Sequence, residues 1–343
     1  MAKAKLHLSF HPLAEASGNS RKSNIHCLIV SLSNCLIAEL SQLLTFPTSH
    51  FQIFKSSHCL IVKLPSFIFY FWAMENGEQK IFVWCNFAEG MDDAILHGMM
   101  IALTLQKELC LFHQLDRKLH ESIEMAEARL RGVAAKVSPI LSNITVKYLV
   151  RDQEVKSSLT ELAERFECLV LVAHKVSVPQ LLPVLQYAAF PFLFVSAKDN
   201  IDQTYKRIVI PVGYMKKSKD LALWASYLGR HNGAMIDIFI ADEGQGADQK
   251  DVKSNLFSIQ RLYGKFRFPF QVIESHTPTW KLQKASLYHA LGLKSGMLII
   301  AASSNPTFLD SMLGLTEGKV IDKSEELSIM CVNSRRDFYT FCG

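Results

Sequence analysis

Short apolar runs alternate with amphipathic helical patterns along most of the chain. The clearest example is residues 205–242, where the apolar run Arg207–Val212 precedes a helical stripe and a second apolar run, residues 235–241. The helix between them should end at Gly233, because glycine readily adopts the left-handed conformation that closes helices. A strand, a helix and a strand in this order predict a βαβ unit, in which the two strands are parallel.

The same order of elements occurs twice along the chain. Apolar runs predict strands at residues 81–85, 109–114, 144–150, 168–172 and 192–195, and again at 207–212, 235–241, 268–274, 297–301 and 327–332. Runs without polar alternation are typical of parallel sheets that are buried on both faces. We therefore predict an α/β protein of two tandem, Rossmann-like, five-stranded parallel-sheet domains. Their expected bounds are residues 74–197 and 204–335, joined by a short polar linker.

Residues 1–73 differ from the rest of the chain, and no helical or strand period persists across them. An uncharged stretch at residues 23–38 allows a membrane anchor, although it is shorter than the usual ~20 residues. A serine-rich, acid-poor composition also fits a transit peptide. The third interpretation is that the segment is not part of the fold, and that folding sequence starts at Met74.

Composition excludes several classes of protein. The chain is 49% hydrophobic and 20% charged, as globular proteins are. Of the net charge of +5, residues 1–73 hold six basic and two acidic residues, so the remainder carries about +1 and shows no bias toward nucleic acid. The cysteines lack metal-binding spacing. Four of them lie inside apolar runs: Cys85, Cys110, Cys168 and Cys331. This placement predicts reduced, buried thiols in a cytoplasmic protein.

Three local features resemble the tandem universal stress protein family. Lys206 and the run Arg207–Val212 are similar to the first strand of that family, and residues 190–195 to its proline-led last strand. Residues 297–304, followed by Gly314, follow the outline of its phosphate loop. The resemblance spans residues 80–334. It implies a strand order of 3-2-1-4-5 in each domain, pairing of the domains through their last strands, and any nucleotide above strands one and four.

A ligand of a doubly wound sheet binds where the strand order reverses, at the carboxyl ends of the strands. The ATP-binding members of the resembled family carry G-x2-G-x9-G-[ST] after strand four and an aspartate at the end of strand one. This chain has Gly213 at the aspartate position and retains one loop glycine. The candidate residues for an adenine-nucleotide site are Gly213, Ser303, Asn305, Gly314 and Thr316.

No other motif predicts chemistry. The Walker-like segment at residues 314–320 lacks the hydroxyl residue after Lys319, and it falls inside a predicted helix. The basic turn with Lys216, Lys217 and Lys219 could contact a phosphate, but the sequence favours a solvated turn. We therefore expect a non-catalytic, stress-response binding or scaffold protein with degenerate nucleotide sites and no cofactor. The alternative is a regulatory module that binds ATP or AMP weakly in the second domain.

The partners expected from the sequence follow from the same features. A protein partner and a homodimer both stay open, whereas neither nucleic acid nor a membrane is expected. Basic and aromatic residues interleave at residues 261–268, which indicates either a partner surface or amphipathic helix packing.

Overall fold

The computed structural model describes residues 79–115, 121–196, 204–293, 296–303, 316–324 and 327–333, together with the backbone of four short strands nearer the N-terminus. Two candidate site residues, Asn305 and Gly314, and the predicted linker lie outside the described residues. For Thr316 the backbone alone is described.

The four N-terminal strands form an antiparallel sheet in the order β1-β2-β4-β3. They are β1 (Leu8–Ser9), β2 (Leu28–Val30), β3 (Gln52–Ser56) and β4 (Cys59–Lys63). The near-identical segments at residues 28–30 and 60–62 pair with each other, with Ile29 opposite Ile61. Whether residues 1–73 stand apart from the main fold stays a prediction, as do the two domain bounds.

From Lys80 onward the chain alternates strands and helices, as the apolar runs predict. The first five strands are β5 (Lys80–Trp84), β6 (Glu108–Gln114), β7 (Val146–Arg151), β8 (Cys168–His174) and β9 (Phe192–Val195). The helices between them are α1 (Met91–Leu105), α2 (Ile123–Val137), α3 (Val155–Glu164) and the short α4 (Val178–Leu181), which is flanked by 3-10 turns at Lys175–Ser177 and Leu182–Tyr187.

The second half repeats this order. Its strands are β10 (Arg207–Val212), β11 (Met235–Ile240), β12 (Phe270–Glu274), β13 (Met297–Ala301) and β14 (Ser328–Val332). Its helices are α5 (Ser218–Asn232), α6 (Ala247–Phe266), α7 (Thr279–Gly292) and α8 (Thr316–Asp322). As expected, Gly233 closes α5 at a φ of 60°.

Ten strands form one sheet in the order β12-β11-β10-β13-β14-β9-β8-β5-β6-β7. Each half therefore has the strand order 3-2-1-4-5, which confirms the order implied by the resemblance. All neighbours are parallel except β14 and β9, the two last strands, which pair antiparallel with Met330 opposite Leu193. Pairing through the last strands is likewise confirmed.

Helices cover both faces of the sheet, which explains the continuous apolar runs. One core layer lies beneath α1, α2, α5 and α6, and the other beneath α3, α4, α7 and α8. Phe190, Phe192 and Phe194 stack in sequence beside the junction of the halves. Across the junction, Lys175 Nζ donates to the Leu327 carbonyl at 2.9 Å, and His97 Nδ1 lies 3.0 Å from the Tyr205 hydroxyl.

The start of β12 differs from the prediction by two residues. The apolar run predicts a strand from Phe268, but the backbone N–H of Phe268 donates to the Tyr263 carbonyl and closes α6. Arg267 adopts a φ of 55° in this closing turn, and Pro269 has no N–H to donate. Pairing with β11 therefore begins at Phe270.

No helix in the described ranges is both long enough and apolar enough to cross a lipid bilayer.

Candidate functional site

The strand order of the second half reverses between β10 and β13, where Val209 lies beside Leu298. The carboxyl ends of these two strands lead directly into Gly213 and into Ala302 and Ser303. Two of the five predicted site residues, Gly213 and Ser303, therefore reach the same edge of the sheet. Thr316, a third, is the first residue of α8.

Gly213 is enclosed by side chains of the protein itself. Its carbonyl accepts from Asn255 Nδ2 at 2.9 Å, and its N–H donates to Ser218 Oγ at 3.2 Å. A Cβ at this position would lie 2.4 Å from Thr279 Cγ2 and 2.5 Å from Thr279 Oγ1. Glycine is required here because Thr279 fills the space, so an aspartate at position 213 does not fit the present packing.

Ser303 donates its backbone N–H to a carboxylate oxygen of Glu317. Glu317 is 1% exposed, and its other carboxylate oxygen has no hydrogen-bond partner among the described residues. A phosphate loop uses such backbone N–H groups to hold an anion. In this chain the carboxylate of Glu317 takes the place of such an anion at the Ser303 N–H.

Lys217 is the member of the basic turn that points inward. Its Nζ donates to the Ala302 carbonyl at 2.9 Å, beside the Ser303–Glu317 contact. Burial lowers the pKa of the Lys217 ammonium, while the carboxylates of Glu317 and Asp220 oppose that shift. The prediction of a solvated turn therefore fits Lys216, which is exposed, better than Lys217, which is partly buried.

The described residues at this edge fit a triphosphate poorly. The buried carboxylate of Glu317 brings negative charge to the place where phosphate oxygens would lie, and it already accepts the available N–H. The sequence analysis missed Thr279 and Glu317 because both are distant in sequence from the strand ends that they contact. The signal available in the sequence was the position of Glu317 itself, inside the Walker-like segment and beside Gly318.

The corresponding edge of the first half is also closed by side chains. Asn86 follows β5, and its Nδ2 donates to Ser177 Oγ at 3.0 Å. The His174 ring lies so close to Gly90 that a Cβ there would be 2.3 Å from the ring. The pattern agrees with the sequence, which has no glycine between His174 and Pro183.

The described cysteines are poorly placed for nucleophilic chemistry. Cys85, Cys110, Cys168 and Cys331 are buried thiols. Burial raises the pKa of the Cys110 thiol to about 12, far above the range in which a thiolate forms at neutral pH. No group of three or more His, Cys, Asp or Glu residues in the described ranges could hold a metal ion.

Two histidines of the described ranges, His113 and His289, contact neighbouring groups. His113 Nε2 lies 3.1 Å from Glu121 Oε2, and its Nδ1 contacts the Cys85 carbonyl. His289 stacks on Phe239, with ring centroids 4.9 Å apart. These contacts favour a structural role for both residues.

Comparison with protein families and with curated proteins gives no match for this chain. Solved structures do match. A universal stress protein from Archaeoglobus fulgidus superposes with a TM-score of 0.57 at 14% identity, covering 75% of this chain and 97% of that one. A putative universal stress protein from Pseudomonas aeruginosa UCBPP-PA14 gives a TM-score of 0.55 at 16% identity, covering 78% and 98%.

A functionally unknown protein from Pseudomonas aeruginosa PAO1 is similar to the same degree, with a TM-score of 0.56 at 15% identity and coverage of 78% and 97%. Identities this low establish the fold alone. The fold agrees with the strand order, the parallel sheet and the antiparallel junction described above. The chain has the α/β fold of the universal stress proteins.

Proposed function

We propose that this is a non-catalytic, stress-response protein of the universal stress type, which acts by binding or scaffolding and whose nucleotide sites are degenerate. The observation that carries the proposal is the contact between Glu317 and the Ser303 N–H. The buried thiols support a reducing compartment, which we take to be the cytoplasm.

The electrostatic argument concerns the carboxylate of Glu317. Two like charges 4 Å apart near a protein surface repel by about 4 kcal/mol. A phosphate group would also have to displace Glu317 from the Ser303 N–H, and a buried carboxylate left without its donor is costly. Lys217 offsets part of this repulsion, because its ammonium lies at the same strand end. We therefore expect no ATP binding with a Kd below about 100 µM.

The alternative function is weak regulatory binding of ATP or AMP in the second half. Lys217 favours it, since a cation at the end of β13 could contact a phosphate if Glu317 turned away. The ligand contacts would then come from Gly213, Ser303, Asn305, Gly314 and Thr316. Of these, Gly213 and Ser303 already reach the switch-point edge.

Titration calorimetry with Mg-ATP and with AMP separates the two proposals. The native chain should give no isotherm in the low-micromolar range. Glu317→Gln keeps an acceptor for the Ser303 N–H and removes the charge, so it should bind more tightly than the native chain. Glu274→Gln, at an exposed position on β12, is the matched control for lost charge.

A low-micromolar isotherm for the native chain that is abolished by Lys217→Ala would reverse the ranking in favour of the alternative. Circular dichroism of each variant verifies that the fold is retained.

A further inference from the structure

The outer surface of α7 carries a stripe of exposed aromatic side chains. Trp280 is 76% exposed and Tyr288 is 53% exposed. They lie eight residues apart with Lys284 between them, and a spacing of four residues places successive side chains on one side of a helix. The opposite side of α7 is buried through Leu282, Ser286 and Ala290. The helix therefore packs normally, and the core does not need its exposed aromatic residues.

Lysines accompany both aromatic rings. Lys281 Nζ lies 4.3 Å from the Trp280 ring centroid, and Lys284 Nζ lies 6.0 Å from that of Tyr288. The sequence of α7 contains no acidic residue. Neither lysine has an ion-pair partner among the described residues, so both charges remain available to a ligand.

The neighbouring helix α8 extends this basic character. It packs beside α7 on the same face of the sheet. Lys319 on α8 and Lys323 directly after it are exposed, against one exposed acid, Asp322. We call the combined surface the lysine–aromatic face: Trp280, Lys281, Lys284, Tyr288, Lys319 and Lys323. The low overall charge of the folded region conceals this local excess.

The shape and charge of the face restrict what can cover it. A second copy paired through α7 would place Lys284 near its own equivalent, and like charges in contact are unfavourable. The stripe is the convex side of a helix, whereas single-stranded nucleic acid binds in a positively charged groove. A convex surface with lysines and aromatic rings is complementary to a broad anionic surface into which side chains can insert.

We propose that the lysine–aromatic face adsorbs to anionic lipid bilayers. Tryptophan and tyrosine rings are favoured at the level of lipid headgroups, and lysines keep their charge in water while their stems lie on the apolar boundary. Each lysine near such a surface strengthens binding by about fivefold. Binding is therefore shallow, reversible and weakened by salt. It is independent of the nucleotide site.

The test uses the full-length chain and two kinds of vesicle. One kind is phosphatidylcholine alone, and the other contains about 30 mol% phosphatidylserine, which gives a strong anionic surface potential. Trp280 is the one of the four tryptophans that belongs to the face, and Trp72, Trp84 and Trp224 contribute a common background to its signal. Subtracting the spectrum of Trp280→Phe isolates its emission. We expect a blue shift with anionic vesicles alone, and a return to the original spectrum in high salt.

Co-sedimentation then measures binding for two variants of the face. Lys281→Glu with Lys284→Glu should reduce vesicle binding more than tenfold by the lysine increment above, and Trp280→Ala should also reduce it. Phe257→Ser is the matched control, because this exposed aromatic residue lies on α6 in the opposite layer.

Equal binding to neutral vesicles, or loss of binding in Phe257→Ser with normal binding in the face variants, would overturn the proposal. So would quenching of Trp280 by an oligothymidylate in the absence of any response to vesicles, which would assign the face to nucleic acid.

Discussion

Thr279 occupies the space that any side chain at position 213 would need, since a Cβ on Gly213 would lie 2.4 Å from Thr279 Cγ2. We predict that Gly213→Asp destabilises the protein by about 1–3 kcal/mol, the usual cost of overpacking. Adding Thr279→Ala should recover most of the loss. Urea unfolding measures both variants. Gly132→Asp, at a position with open space, is the control, and an equal loss there would contradict the steric argument.

The junction of the two halves depends on aromatic packing beside β9 and β14. Phe194 is fully buried and pairs with Ile329 across the junction. Phe194→Ala should cost about 3–5 kcal/mol of unfolding free energy, and Phe194→Asp should also expand the protein in small-angle scattering because it places a charge between the strands. Phe257→Ala, at an exposed site, should change stability by less than about 0.5 kcal/mol. An unchanged scattering profile for Phe194→Asp would count against this junction.

Asp237 is a buried charge held by several partners. Its Oδ2 accepts from Arg207 Nε at 2.9 Å, and its Oδ1 accepts from Gln271 Nε2 at 2.8 Å. Arg207→Met leaves the carboxylate without its main counter-charge, so a loss of about 3–5 kcal/mol is expected in chemical denaturation. Glu108→Ala, which removes an exposed ion pair with Lys147, should cost less than about 1 kcal/mol. Equal losses of unfolding free energy in the two variants would show that burial does not determine the contribution of an ion pair.

The buried thiols should resist alkylation in the native state. Burial raises the pKa of the Cys110 thiol to about 12 and that of Cys85 still further, so almost no thiolate exists at pH 8. We expect iodoacetamide to label neither residue until urea unfolds the chain. Peptide mapping by mass spectrometry resolves each site. Rapid labelling of Cys110 in the native protein would mean that β6 opens readily.

The sequence was sufficient to predict the layered architecture, and physical reasons explain both that success and its limits. Strands such as Arg207–Val212 are apolar throughout because both faces are covered, and that pattern is local. The contacts that close the switch point are not local: Glu317 contacts Ser303 through the tertiary fold, and a polar helix residue gives no sign of its partner. For the same reason the sequence gives no sign that Trp280 is exposed.

The antiparallel contact of β14 with β9 joins two half-sheets that belong to one polypeptide. The predicted domain bounds leave six residues, 198–203, between the halves, so each half experiences the other at a high effective concentration, in the millimolar range for short linkers. The strand pairing therefore needs little intrinsic affinity. In a homodimer, one substitution would alter both sides of such a contact. In this chain a substitution alters one side alone. The two halves close their switch-point edges differently, with Thr279 against Gly213 and Ser177 against Asn86.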